Sequence, residues 1–245
     1  MRAESILSTE DLFYKQVCGT SMKSRILIAD DHPLMRGGLA QLVNSQEDMV
    51  TCYEAHNAET VLEGVFQTEP DLILTDFALP DKNGIELVKD ICAVRPKLPI
   101  LVISMHEESL YANRVLRAGA RGYIAKTADA STLLSAMRQI LSGKIYASEG
   151  ASARILEIFS GNRKRSENSM VEELSDREFE IFELVGNGFS TKQIADYLSL
   201  SIKTVDAHRA NIKVKLKITT TSKLIAFAAC WRDSMKNPGG GLLSR

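Results

Sequence analysis

The sequence predicts an α/β chain, with a five-stranded doubly wound parallel sheet in the order 2-1-3-4-5 followed by a small all-α domain. Three observations predict it. Short apolar runs recur, each bounded by turn residues; segments of helical length and period lie between them; and beyond residue 173 the period is helical only. With 245 residues, 44% hydrophobic and 25% charged, the chain is long enough for two ordinary domains, each with its own core.

The strands come first. "RILIA" (25–29), "MVTCY" (49–53), "LILT" (72–75), "ILVIS" (100–104) and "GYIA" (122–125) are short and continuously apolar, which suits strands buried on both faces. Pro33 opens the first intervening helix. "GIELVKDICAVR" (84–95) places Ile85, Val88, Ile91 and Cys92 on one face, and "ASTLLSAMRQIL" (130–141) does the same with Leu133, Leu134, Met137 and Leu141. Strands alternating with helices in this way form parallel sheets with right-handed crossovers, whose ligand site lies at the carboxyl ends of the strands. The organisation expected is an N-terminal extension (1–23), the α/β domain (24–145), a linker region (146–172) containing the polar run "SGNRKRSENSMVEE", an α domain (173–236) and a tail (237–245). In the α domain Ser175 with Glu178, and Ser190 with Gln193, read as capping boxes. Ala195, Ser199 and Val205 take the small, turn and apolar positions of a helix-turn-helix, and a final helix carries Leu224, Ile225, Ala228 and Trp231 on one side.

Composition narrows the function. No window approaches the run of about eighteen apolar residues of a membrane span, and residues 1 to 24 lack the basic-then-apolar plan of a secretory signal, so a cytoplasmic protein with no membrane partner is expected. Cys18, Cys52, Cys92 and Cys230 are scattered without a CxxC pair, which argues against a zinc site or a disulfide framework. Residues 25–149 hold 12 Lys and Arg against 17 Asp and Glu, net −5, whereas residues 174–236 hold 10 against 7, net +3. The stretch "SIKTVDAHRANIKVKLK" concentrates five bases against one acid, a footprint suited to nucleic acid.

Four of the five strands deliver polar residues to the same end of the sheet: Asp30 and Asp31 after the first, Asp76 from the third, Ser104 from the fourth and Lys126 after the fifth. Taken singly, Asp30 or Asp31 reads as a helix cap, Asp76 as a turn former and Lys126 as a surface charge. In a sheet ordered 2-1-3-4-5 all five converge. Three carboxylates that close resist ionising together unless a cation intervenes, and Mg2+, a hard ion that prefers oxygen ligands, fits a bridge between Asp31, Asp76 and a phosphate. The same acids would repel the phosphate of a flavin mononucleotide.

"ADDHPLMRGGL", "LTDFALPDKNG", "VISMH" and "GYIAK" make residues 25 to about 145 resemble the flavodoxin-like receiver domains of two-component response regulators. The resemblance implies that Asp76 accepts a phosphoryl group from a sensor histidine kinase. It further implies that Asp30 and Asp31 position Mg2+ with Asp76 and the carbonyl of Ala78, that Ser104 and Lys126 bind the phosphoryl oxygens, and that Tyr123 is an aromatic switch whose ring follows the Ser104 hydroxyl inward. Where receivers often carry Lys-Pro, this chain has Lys126 and Thr127, which argues against a cis peptide there, since without Pro it costs about 3 kcal/mol.

"LSDREFEIFELVGNGFSTKQIADYLSLSIKTVDAHRANIKVKLKI" resembles the LuxR-type helix-turn-helix of the NarL/FixJ regulators. On a helical wheel Ile202, Val205, Ile212 and Leu216 form the buried stripe of the basic helix, and Lys203, Asp206, Ala207, Ala210 and Asn211 face outward as candidates for base edges. Thr191, Lys192, Thr204 and Lys213 are candidates for phosphates, while His208 and Arg209 read as packing groups, Arg209 paired with an acid such as Glu178. The expectation is a phosphorylation-controlled transcription regulator rather than an enzyme, dimeric when phosphorylated, with promoter DNA and RNA polymerase as partners. The alternative is a signalling adaptor whose helical output domain binds protein.

Overall fold

The computed structural model describes residues 23–105, 108–150, 152, 170–171, 173–198 and 200–236. The chain forms two compact units that divide after Ser152. The expected extension apart from Lys23, the greater part of the polar linker, Ser199 and the tail lie outside the described residues.

The first unit is an α/β layer structure with strands β1 (Ser24–Ala29), β2 (Met49–Ala55), β3 (Leu72–Asp76), β4 (Ile100–Ser104) and β5 (Gly122–Ala125). They pair in parallel in the order β2-β1-β3-β4-β5, as the sequence predicts. Every residue of β3 and β4 is buried, which is why their sequences are apolar apart from Thr75 and the terminal Asp76 and Ser104. Helices α1 (Pro33–Asn44), α2 (Ala58–Thr68), α3 (Gly84–Val94), α4 (Glu108–Ala118) and α5 (Ala130–Leu141) connect and flank the sheet. On one face Leu39, Ala40 and Val43 of α1 join Leu133, Leu134, Met137 and Ile140 of α5 over Ile26, Ile28, Leu72, Leu74, Leu101 and Ile103. Each such side chain contributes about 1.5–3 kcal/mol by leaving water.

Local chemistry sets the helix ends. Pro33 fixes φ at the start of α1 and has no N–H to leave unpaired, and the cap residue is His32 rather than Asp30 or Asp31. Asn57, Asn83 and Asp129 accept amide hydrogen bonds at the starts of α2, α3 and α5. Gly84 is required by contact, because a Cβ there would lie 2.9 Å from the Phe77 Cα and from its ring. Both edges of the sheet are met by other groups. Tyr146 bridges to Gly122 and donates its N–H to Arg121 O at 2.8 Å beside β5, and Asn44 Oδ1 accepts the Thr51 N–H of β2 at 2.8 Å.

The second unit has α6 (Asp176–Gly186), α7 (Thr191–Tyr197), α8 (Ile202–Lys215) and α9 (Thr221–Lys236). Capping boxes start α6 at Ser175 and α7 at Ser190, and Ser201 caps α8. Phe179 and Phe182 of α6 meet Trp231 of α9 edge-on, with ring centroids 5.8 Å and 5.4 Å apart. A Cβ on Gly186 would stand 2.9 Å from Ala228 O, so this glycine lets α6 and α9 cross closely. Val205, Ile212 and Leu216 are buried as the wheel predicts, but Ile202 is 51% exposed. The reason is positional: Ile202 is the first residue of α8, directly after the cap Ser201, and has no preceding turn to pack on. Ile225 is likewise 43% exposed, although Leu224, Ala228 and Trp231 beside it are buried.

Candidate functional site

The carboxyl ends of β1, β3 and β5 place Asp30, Asp76 and Lys126 in direct contact. Lys126 Nζ lies 2.8 Å from Asp30 Oδ2 and 2.8 Å from Asp76 Oδ2. Asp30 is fully buried and Asp76 is nearly so. A buried carboxylate is costly unless it is paired and hydrogen-bonded. The Asp30 side chain meets that demand through Lys126 on Oδ2 and the His32 N–H on Oδ1 at 2.8 Å, while its carbonyl accepts from Arg36 Nη1 at 2.7 Å. Burial pushes the Asp76 carboxyl above its ordinary value and the nearby Asp30 charge adds to this, while the Lys126 hydrogen bond and charge oppose them. Burial likewise disfavours the Lys126 cation, but its hydrogen bonds to Asp30 and Asp76 outweigh it and raise its pKa, so this lysine stays charged.

Asp31 sits at the rim. Its Oδ1 is shielded from solvent and makes no hydrogen bond, and His32 Nδ1 stands 2.6 Å away without the geometry of one. Oxygen or nitrogen atoms of Asp30, Asp31, His32 and Asp76 all lie within 4.8 Å of one another. This donor set, rich in carboxylate oxygen with one atom unsatisfied, fits a hard divalent cation such as Mg2+. Ala78 is exposed in the loop that follows β3, and its nearby backbone N–H slightly favours the charged form of Asp76. Ser104 and Tyr123 are each about 1% exposed on adjacent strands, with Ser104 opposite Ala125 and Tyr123 opposite Val102. The peptide after Lys126 is trans.

In the second unit, Lys203, Asp206, Ala207, Ala210 and Asn211 are all exposed on α8. Lys192 is exposed and Thr191, Thr204 and Lys213 are half-buried. Arg209 does not pair with Glu178. Its Nη1 donates to Thr191 Oγ1 at 2.5 Å, leaving the threonine proton to donate outward. Glu178, 4% exposed, is instead taken by Lys215 Nζ at 2.6 Å and by the Ser175 N–H at 2.8 Å. Lys215 lies six residues further along the same helix and faces a different direction, so it and not Arg209 is the base that meets α6. Sequence reasoning also missed Arg36, though its place on α1 in the turn above Asp30 could have suggested it.

An acidic pocket bridged by a lysine at the carboxyl edge of a 2-1-3-4-5 sheet, carried in one chain with a basic recognition helix, defines a receiver-type regulator with a DNA-binding output. The model of the response regulator receiver domain matches residues 26–138, and that of the bacterial regulatory proteins of the luxR family matches residues 172–228. The chain belongs to the two-component response regulators of the NarL/FixJ type, which are DNA-binding transcriptional regulators rather than enzymes. The oxygen regulatory protein NreC of Staphylococcus carnosus is 33% identical over 208 residues, spanning 83% of this chain and 96% of its own. A LuxR-family two-component response regulator from an Aurantimonas species is 31% identical with a TM-score of 0.53, over 56% of this chain and 99% of that one. RcsB, solved as two dimers bound to two parallel DNAs, is 26% identical with a TM-score of 0.53, over 84% of this chain and 98% of its own. Among the described residues no helix is long and apolar enough to cross a membrane.

Proposed function

We propose that this response regulator takes a phosphoryl group on Asp76 from a sensor histidine kinase and, so modified, binds promoter DNA as a dimer to regulate transcription, in contact with RNA polymerase. The observation that carries the proposal is Lys126 Nζ held 2.8 Å from both Asp30 and Asp76 at the carboxyl ends of the strands. An Asp76 carboxylate oxygen attacks the phosphorus of the kinase phosphohistidine in line. The P–O bond forms as the P–N bond breaks, the electron pair leaves with the imidazole nitrogen, and an acyl phosphate results. Such transfer needs chiefly placement and charge neutralisation. Asp30, Asp31, Asp76 and the Ala78 carbonyl are the groups to hold Mg2+, which supplies neutralisation of the phosphoryl charge. Lys126 is the cation already in place for one phosphoryl oxygen, and the Ser104 hydroxyl is a donor for another. Tyr123 then fills the space that Ser104 vacates.

For output, Lys203, Asp206, Ala207, Ala210 and Asn211 read base edges in the major groove, and Thr191, Lys192, Thr204 and Lys213 hold phosphates. The test is twofold. With Mg2+ and a small acyl phosphate, intact mass should rise by one phosphoryl per chain and Asp76→Asn should abolish the rise. Selection from random duplexes, with and without the donor, should enrich a two-fold symmetric site. Stoichiometric labelling of Asp76→Asn would remove the acceptor assignment, and failure to enrich any duplex would favour a protein-binding output.

A further inference from the structure

The loop between β3 and α3 (77–83) is anchored on a helix from another part of the unit. Ala58 and Glu59 open α2, and no helical carbonyl precedes them to accept their N–H groups. Asp81 Oδ1 accepts from Ala58 N–H at 2.8 Å and Asp81 Oδ2 from Glu59 N–H at 3.2 Å. Asn57, the cap in sequence, is left to serve the third amide, Thr60, at 2.8 Å. One helix start is thus capped twice, once from its own segment and once across 23 residues. A charged acceptor on two amides at the positive end of a helix is among the stronger pairings an exposed carboxylate can make.

The base of the loop is closed by Gly84 N–H donating to Phe77 O and by the bridge between Ala78 and Asn83. Toward the tip, Asp81 reaches α2 and Lys82 pairs with Asp90 on α3. Ala78 belongs to the closed base, and the short run from Leu79 to Asp81 ties it to the clamp on α2, so the direction of its carbonyl depends on the bridge to Asn83 and on the anchored tip together. We infer that Asp81 is a positioning residue for the metal and phosphoryl site: by clamping the loop to the start of α2 it sets the Ala78 carbonyl against Asp31 and Asp76. This rests on the proposed role of Ala78 as a metal ligand.

The experiment compares three variants of the full chain with the unmutated protein, reading Mg2+ affinity by calorimetry, amide hydrogen exchange in the loop and thermal midpoint. Asp81→Ala should weaken Mg2+ binding about tenfold, the scale seen when a partner behind a metal ligand is lost, and should speed exchange across the loop. Asp81→Asn keeps one acceptor and should lose less. Asn57→Ala removes a cap from the same helix without touching the loop, so it should lower the thermal midpoint as Asp81→Ala does yet leave Mg2+ affinity within about twofold. Unchanged Mg2+ affinity in Asp81→Ala overturns the inference, as does an equal loss in Asn57→Ala, which would assign the effect to helix stability. If the unmutated chain binds no Mg2+, the reading of Ala78 falls first and this inference with it.

Discussion

Lys126 holds two carboxylates that would otherwise repel each other, so its removal separates chemistry from consequence. Lys126→Ala leaves the Asp76 nucleophile in place but takes away the cation that would draw on the new phosphoryl group. The expected result is a chain still labelled by a small donor, more slowly, whose duplex affinity no longer rises with labelling; a normal rise would show that Lys126 carries no signal. Glu178 gives the pH dependence. Burial would raise its carboxyl, but the Lys215 hydrogen bond and the Ser175 contacts prevail and hold it below its ordinary value of 4.5. The unfolded chain therefore binds more protons in the interval below 4.5 than the folded one does. The stabilisation is complete above that value and is lost as pH falls through the folded-state pKa. Glu178 is buried but Lys215 is 38% exposed, so Glu178→Gln leaves a cation that water can solvate and should lower stability near pH 7 by about 1 kcal/mol and flatten its decline below pH 4.5. Urea melts of both forms across this range decide it.

Elements behave differently from residues because their contacts are set by geometry over many positions. Where α6 crosses α9, Gly186→Ala would drive a methyl into Ala228 O, and the mismatch should cost about 1–3 kcal/mol in thermal or urea unfolding. How far the sequence discloses such features follows from the same distinction. The β3 and β4 runs end on Asp76 and Ser104, and β1 and β5 lead into Asp30 and Lys126, so a local apolar pattern and its interruption delivered the pocket. The α8 wheel likewise delivered Val205, Ile212 and Leu216 and the outward face from Lys203 to Asn211. It failed at Ile202, where a helix terminus lacks the preceding turn that a wheel assumes. It failed too for Arg209 with Thr191 and Lys215 with Glu178, pairs 18 and 37 residues apart that no local period encodes. The clamp from Asp81 to Ala58 was hidden for the same reason, since Asp81 alone reads as one more polar turn residue.

At the scale of the whole molecule the charge is divided, with an acidic first unit and a basic second one. If Lys192 and Lys213 of two subunits neutralise phosphates, the logarithm of duplex affinity should fall against the logarithm of salt with a slope of roughly −4, and Lys213→Ala should flatten it by roughly 2 units. Two half-sites should lie roughly 34 Å apart, one turn of the duplex. A slope unchanged in Lys213→Ala would remove that lysine from the phosphate set.

The Tyr146 bridge beside β5 and the Asn44 side chain on β2 carry a different consequence. A sheet open at both sides is a template on which a further strand, from any chain, can add. Here one backbone amide engages the β5 border and one carboxamide occupies an amide of β2, so a strand arriving at either side finds donors or acceptors already taken. Each of these contacts makes edge-to-edge growth of one sheet onto another less favourable at that position. The safeguard consists of two hydrogen bonds at 2.8 Å, and Asn44→Ala, harmless to the pocket, should show itself first as aggregation during refolding at high concentration.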